Sequence, residues 1–194
     1  MTHYRRANTP GATYFFTVNL LDRRSTLLID RIDALRIAVH HTRERHPFVI
    51  DAMTILPDHL HAVWTLPPDD ADFPLRWRLI KSHFSRHMPH GEQRRASRIS
   101  KGERGIWQRR YWEHLIRDEE DLRRCVDYTH FNPVKHGHAM RVSDWPYSTF
   151  HREVREGGCR RIGLWRPGMM ALTASGDDGF RGRNLSPLYF LNSQ

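Results

Sequence analysis

The chain has 194 residues, enough for one domain plus an appendage and for a substantial apolar core. Lys+Arg 31 against Asp+Glu 22 gives a formal net charge of +9 and a pI near 10.2, a balance that favours a phosphate backbone and is also compatible with an anionic membrane surface. No apolar run approaches the length of a membrane span, and the first residues, Met1-Thr2-His3-Tyr4-Arg5-Arg6, hold no signal-peptide core. The two cysteines, Cys125 and Cys159, form no Cys-x-x-Cys and no disulfide framework, so a bacterial cytosol is expected.

In chain order, Ala12 to Leu20 is aromatic and β-branched and predicts a strand. Arg31 to Glu44 sets Ile32, Leu35, Ile37, Ala38 and Val39 at near-helical spacing, with Asp30 as its cap. Phe48 to Leu56 predicts a second strand, and Pro57-Asp58 a tight connection into a third from His59 to Leu66, which Pro67-Pro68-Asp69-Asp70 ends. Phe73 to Met88 predicts a helix whose outer face carries Arg76, Arg78, Lys81 and Arg86. Gly91 to Gly105 is polar and arginine-rich and predicts a mobile loop. A fourth strand is expected from Ile106 to Ile116. Asp118 then opens a helix with Glu119, Glu120 and Asp121 in its first turn, where carboxylates favour the positive end of the dipole. Pro133 lacks the donor of a helix interior, so Asn132-Pro133 predicts an end, a kink or the cap of a new turn. The order of elements suggests an α+β protein, a ferredoxin-like antiparallel sheet with packed helices, over residues 1–150. Residues 151–194, rich in Gly, Arg and Pro, predict an irregular basic tail.

Two segments carry chemistry. In Pro57-Asp58-His59-Leu60-His61 the histidines stand two apart in an apolar run, so on a strand both imidazoles share one face while Leu60, Ala62 and Trp64 point to the other. Such a pair can grip one divalent metal; hydrogen-bonded structural histidines are the blander reading. In Tyr128-Thr129-His130-Phe131-Asn132-Pro133-Val134-Lys135, a tyrosine and a carboxamide four apart share a helical face. His130 falls on another face and is expected at the surface.

Together these segments resemble the HUH-type single-tyrosine transposases. Ile106-Trp107-Gln108-Arg109-Arg110-Tyr111-Trp112-Glu113-His114, Ile116-Arg117-Asp118 and Tyr128 through Gly137 look like one branch, the REP-associated tyrosine transposases of bacteria, over roughly residues 8 to 150. Asn132, where many insertion-sequence relatives carry glutamine, fits that branch. The resemblance implies the same ferredoxin-like fold and a metal-dependent single-strand DNA endonuclease and strand transferase acting on palindromic repeat hairpins. It implies Tyr128 as nucleophile and His59, His61 and Asn132 as ligands of Mg²⁺ or Mn²⁺, although raw affinity would rank Zn²⁺ or Ni²⁺ higher. A free phenol titrates near about 10, so a tyrosine nucleophile needs a neighbouring cation, metal or base. Attack would leave a 5′-phosphotyrosine and a free 3′-hydroxyl, with no need for ATP.

Several residues carry two readings. Gln108, Arg109 and Arg110 look like DNA contacts by resemblance, and a half-solvated strand would carry them anyway. Lys135 and His136 either contact phosphate or partner the helix dipole. Trp107, Tyr111 and Trp112 are expected in the core rather than stacked on bases. Asp58 either orients a metal-bound histidine or simply turns the chain. The rival functions are a non-catalytic hairpin-binding domesticated relative and a phosphoesterase using a metal-bound hydroxide. A monomer is favoured by resemblance; composition is silent on oligomeric state.

Overall fold

The computed structural model describes residues 8–89 and 96–157. The chain divides into two units, residues 1–151 and 152–194, and of the second only 152–157 are described. Four strands, β1 (Thr13–Asn19), β2 (Val49–Ile55), β3 (His59–Thr65) and β4 (Trp112–Leu115), form one sheet in the order β2-β3-β1-β4. Every pair is antiparallel. With helices α2 (Ile32–Arg45) and α3 (Phe73–Arg86) on one face and α5 (Glu119–Lys135) on the other, this is the expected ferredoxin-like α+β sheet.

The core follows from alternation along the strands. Tyr14, Phe16 and Val18 of β1 and Leu60, Ala62 and Trp64 of β3 are wholly buried against α2 and α3. Trp64 stacks on Trp77 with ring centroids 4.1 Å apart, and Phe16 meets Phe73 at 5.3 Å. Burying side chains of this size contributes roughly 1.5–3 kcal/mol each. Helix α3 supplies Phe73, Trp77, Ile80 and Phe84 at helical spacing; α2 supplies Leu35, Ala38 and Val39. Ile37, expected on that stripe, is 57% exposed. The turn at Pro57-Asp58 closes the β2–β3 hairpin, with the Leu56 amide donating to the His59 carbonyl at 2.8 Å.

Several expectations are corrected. Arg76 does not lie on the outer face of α3: it is fully buried, donating to both carboxylate oxygens of Asp70 at 3.1 and 2.7 Å and to the carbonyls of Asp72, His46 and Pro47. Position 76 falls on the same stripe as Phe73 and Trp77, so the guanidinium enters the core edge, where its donors are met by these carbonyls and the Asp70 carboxylate. Asp30 does not cap α2; it ends a short helix, α1 (Leu27–Asp30). Of the expected loop, residues 91–95 lie outside the described residues. The remainder holds a helical turn, α4 (Ala96–Ile99), and Arg104, which donates to the carbonyl of Ser85 in the last turn of α3 and to those of Met88 and Pro89 just beyond it.

The fourth strand is shorter than expected. Residues 106–110 run as a loop pinned by a single bridge from Trp107 to Leu20 before β4 begins at Trp112. Helix α5 is capped as expected by Asp118, whose carboxylate accepts from the Asp121 amide at 2.8 Å, but it continues through Pro133 to Lys135. Proline so near the C-terminus removes only one ladder bond, and the Asn132 carbonyl still accepts from the His136 amide at 3.0 Å. A further helix, α6 (Phe150–Arg155), occupies the start of the stretch expected to be irregular; residues 158–194 lie outside the described residues. Among the described residues, no helix is long and apolar enough to cross a membrane.

Arg76→Met is expected to lower the free energy of unfolding by about 1–3 kcal/mol, because it removes the donors to three carbonyls and leaves the partly exposed Asp70 carboxylate unpaired. Asp70→Asn should cost less, its side chain being 35% exposed. The hydrogen bond from Arg76 holds the Asp70 carboxyl below its ordinary 3.8, so this contribution is fully present above that value and is lost as pH falls through the lower folded-state value. Urea melts at pH 7 and in acid check both points, and superimposable native and Asp70→Asn curves at pH 7 would contradict them.

Candidate active site

The second face of the sheet is polar where the first is apolar. Register places Thr17 of β1 opposite His61 and Asn19 opposite His59, so one row of inward side chains runs beneath α5. Both histidines are buried, at 4% and 2% exposure. Each ring is held at Nδ1: that of His59 by the Asp58 carboxylate at 2.7 Å, that of His61 by the Thr17 hydroxyl at 3.0 Å. Asp58 is itself anchored by Arg23 at 2.9 Å, and Arg23 also bonds Asn19. Fixing Nδ1 leaves Nε2 of both rings for a ligand, which is how histidines are oriented in metal sites. The two rings stand 5.0 Å apart at 89°.

Helix α5 brings Tyr128 and Asn132 onto this row. The Tyr128 ring packs edgewise on His61 at 5.2 Å and on Phe15 at 5.8 Å. Asn132 is wholly buried, and among the described residues neither its amide oxygen nor its nitrogen has a hydrogen-bond partner; Nε2 of His61 has none there either. The amide stands close enough to His61 to favour its protonation without being aligned for a proper bond. Burial, then the nearby His59 and His136, outweighs that influence and holds His61 well below the ordinary imidazole range, so the ring is neutral and has a lone pair to offer. Unpaired polar atoms in the interior are destabilising. Two imidazoles and an amide oxygen fit a divalent ion, which would satisfy them together.

Beside this group stand a lysine and a third imidazole. Lys135 Nζ lies 5.0 Å from the centre of the Tyr128 ring. His136 leans on His59, ring to ring at 5.3 Å. Although His136 as a whole is exposed, partial burial of its ring and the neighbouring His59 push its pKa down to about 4. The expected residues of the 106–110 loop divide. Gln108 sits at the rim, its amide donating to the Asn19 carbonyl at 3.0 Å and its carbonyl accepting from Lys81 at 3.2 Å. Arg109 is bound to Glu103 at 2.8 Å and to the Ser97 carbonyl at 2.8 Å, so its guanidinium is committed within the chain; Arg110 is exposed. Of the aromatics, Trp107 is in the core as expected, whereas Tyr111 and Trp112 are half-buried, Trp112 stacking on His114. His130 is not at the surface: it is buried, bonded to the Thr149 hydroxyl at 3.1 Å.

Sequence reasoning missed Thr17, Arg23 and Phe15. Thr17 lay in plain view as an inward position of β1, but only the β1–β3 register shows which histidine it meets.

An antiparallel ferredoxin-like sheet with a histidine pair on one strand and a tyrosine helix across its face defines the class. A REP-associated tyrosine transposase of Escherichia coli (strain K12) is 47% identical over 157 residues, covering 81% of this chain and 87% of the relative. A relative from Haemophilus influenzae, named for the same kind of transposase, is 47% identical over 156 residues, covering 80% of this chain and 89% of its own. Among solved structures, a REP-associated tyrosine transposase bound to a REP hairpin matches with a TM-score of 0.70 at 47% identity, covering 81% of this chain and 87% of that one. No protein-family model matches. The chain belongs to the REP-associated tyrosine transposases.

Removing the unpaired amide tests the site without any DNA. Asn132→Leu is expected to stabilise the metal-free protein by about 1 kcal/mol, because it removes two unsatisfied buried atoms. The same variant should lose the rise in melting temperature that Mn²⁺ gives the native protein. A variant that melts lower than native and keeps the full Mn²⁺ shift would show that Asn132 is paired some other way.

Proposed function

We propose that this transposase is a metal-dependent single-strand DNA endonuclease and strand transferase acting on palindromic repeat hairpins through a 5′-phosphotyrosine. The observation that carries the reading is the convergence of Nε2 of His61 and the Asn132 amide, all unpartnered and buried, beside the Tyr128 ring. A REP hairpin is what the 47% identical solved relative holds, and the basic charge of this chain suits the same kind of partner.

His59, His61 and Asn132 would hold the divalent ion, Mg²⁺ or Mn²⁺ by family likeness. When bound, it supplies Lewis-acid polarisation of the scissile phosphate. The three ligands are neutral, so none of the ion's charge is cancelled by the protein. Asp58 and Thr17 keep the two imidazoles in the tautomer that presents Nε2. Helix α5 holds the Tyr128 ring against His61 and Phe15, which confines the phenol to the neighbourhood of the ligands. Tyr128 attacks phosphorus, its proton leaves to solvent or to a base on the DNA side, and the 3′-oxygen of the severed strand departs. Lys135, its Nζ 5.0 Å from the centre of the Tyr128 ring, would bring positive charge to the phosphate oxygens at the point of attack. The retained phosphodiester energy permits rejoining to a second 3′-hydroxyl. Gln108, Arg110, Lys135 and His136 flank the same face and would meet phosphates; Arg109 would do so only after releasing Glu103.

Tyr128→Phe removes one oxygen from a half-buried ring, so fold and hairpin affinity should be unchanged while cleavage and the covalent adduct both disappear. Mass spectrometry of the native adduct should place the 5′-phosphate on the peptide containing Tyr128. Continued cutting by the Phe variant would turn the assignment to a metal-bound hydroxide; hairpin binding by the native protein with no cutting under Mg²⁺ or Mn²⁺ would turn it to a non-catalytic binder.

Binding itself should weaken steeply with salt, with a slope of about 0.7 to 0.9 per phosphate contact in a plot of log affinity against log salt. Arg110→Ala should reduce that slope by roughly one contact while leaving the cleavage position unchanged. Filter binding between low and moderate salt measures it, and a flat salt response would remove the phosphate backbone as the partner.

A further inference from the structure

A second group of metal-binding side chains lies on the same helix, just ahead of Tyr128. His114 of β4 and Asp121 and Cys125 of α5 each present one ligand atom, and all three atoms lie within 4.8 Å of one another. They are enclosed: the side chains of His114 and Asp121 are 13% and 4% exposed, and Cys125 is 3% exposed. In a tetrahedral zinc site with bond lengths of roughly 2.0 to 2.3 Å, donors stand about 3.5 Å apart. Closing this group on an ion therefore asks for shifts of about an ångström.

We infer that His114, Asp121 and Cys125 form a binding site for a borderline transition metal of the zinc kind, separate from the His59, His61 and Asn132 group. The donor set decides the class. A thiolate beside an imidazole and a carboxylate selects Zn²⁺-like ions over Mg²⁺ and Mn²⁺, which take oxygen donors and leave thiols alone. The pairing of the ion-free state is compatible with exchange. His114 Nε2 and Asp121 Oδ2 share a hydrogen bond of 2.8 Å, and an ion entering between them takes the place of the shared proton, which moves to Nδ1 as the other imidazole tautomer. The Cys125 thiol releases its proton to solvent, so one proton leaves for each ion bound. Arg117 donates to Asp121 Oδ2 from its backbone amide at 3.1 Å and from its side chain at 3.2 Å; the side chain is 68% exposed and can withdraw into water, while the amide bond stays and helps to orient the carboxylate.

The consequence is mechanical. Asp121 and Cys125 occupy successive turns of α5, and Tyr128 follows three residues later on the same helix. An ion bridging them to His114 ties that helix to β4 and fixes the segment that positions the tyrosine. Magnesium or manganese would act at the His59, His61 and Asn132 group and leave the thiolate-bearing group to an ion of the zinc kind.

The test uses the full chain, stripped with a chelator and titrated with Co²⁺. Native protein should bind cobalt at both groups and develop a thiolate-to-cobalt charge-transfer band with tetrahedral visible bands. Cys125→Ser and, as a second variant that leaves the thiol in place, His114→Ala should each lose those bands while still binding an ion through His59 and His61. His61→Ala should keep the bands. Circular dichroism melts confirm that each variant is folded. Saturation of the native protein without a thiolate band overturns the inference, as does a band that survives Cys125→Ser, which would belong to Cys159. Failure of DNA cleavage in every case leaves this spectroscopic result intact and bears only on the proposed function.

Discussion

The two-residue alternation of β3 governs the molecule. Leu60, Ala62 and Trp64 go wholly into the core beneath α2 and α3, while His59 and His61, interleaved with them, face α5. A slip of one residue in the β1–β3 register would bury imidazoles among tryptophans and turn the core residues toward the helix. The apolar face therefore fixes the polar one: the Trp64–Trp77 stack and the Phe16 contacts hold the register that sets His61 opposite Thr17 and His59 opposite Asn19. Rigidity of the site is inherited from packing on the far side of the sheet.

Charge on the working face follows a different economy from charge elsewhere. Arg76, Arg104 and Arg109 are engaged with carbonyls or carboxylates inside the chain and stabilise loops. Among the described residues, Asp58 is the carboxylate bonded to the histidine pair, and its oxygens are taken by His59 and Arg23. Lys135 is the cation beside the group and His136 a further imidazole, an environment that leaves a metal ion's charge for an incoming phosphate rather than for the protein.

The sequence made some of this plain. β3 and its hairpin could be read because alternation, Pro57 and the histidine spacing agree on one strand, and the start of α5 because Asp118 and three carboxylates mark a helix N-terminus. Tyr128 and Asn132 share a face because α5 runs through Pro133, a point the proline itself obscured: a missing donor matters little in a helix's last turn. Arg76 was misplaced although its stripe was visible, since charge was given more weight than periodicity. The partners of the histidines were out of reach for another reason. Thr17 is 44 residues from His61 in sequence and reaches it only through strand pairing, and Arg23 meets Asp58 across a loop. β4 was overextended because Trp107 and Tyr111 look like strand residues while packing as core plugs of a loop.

The account rests on one claim, that the face shared by β3 and α5 is built around a divalent ion. Anomalous diffraction from crystals soaked in Mn²⁺ tests it most directly. The account predicts a manganese peak about 2.2 Å from Nε2 of His59, Nε2 of His61 and the amide oxygen of Asn132, with the Tyr128 ring beside it. A manganese peak found only elsewhere, with the Asn132 amide turned to a hydrogen-bond partner of its own, would contradict it.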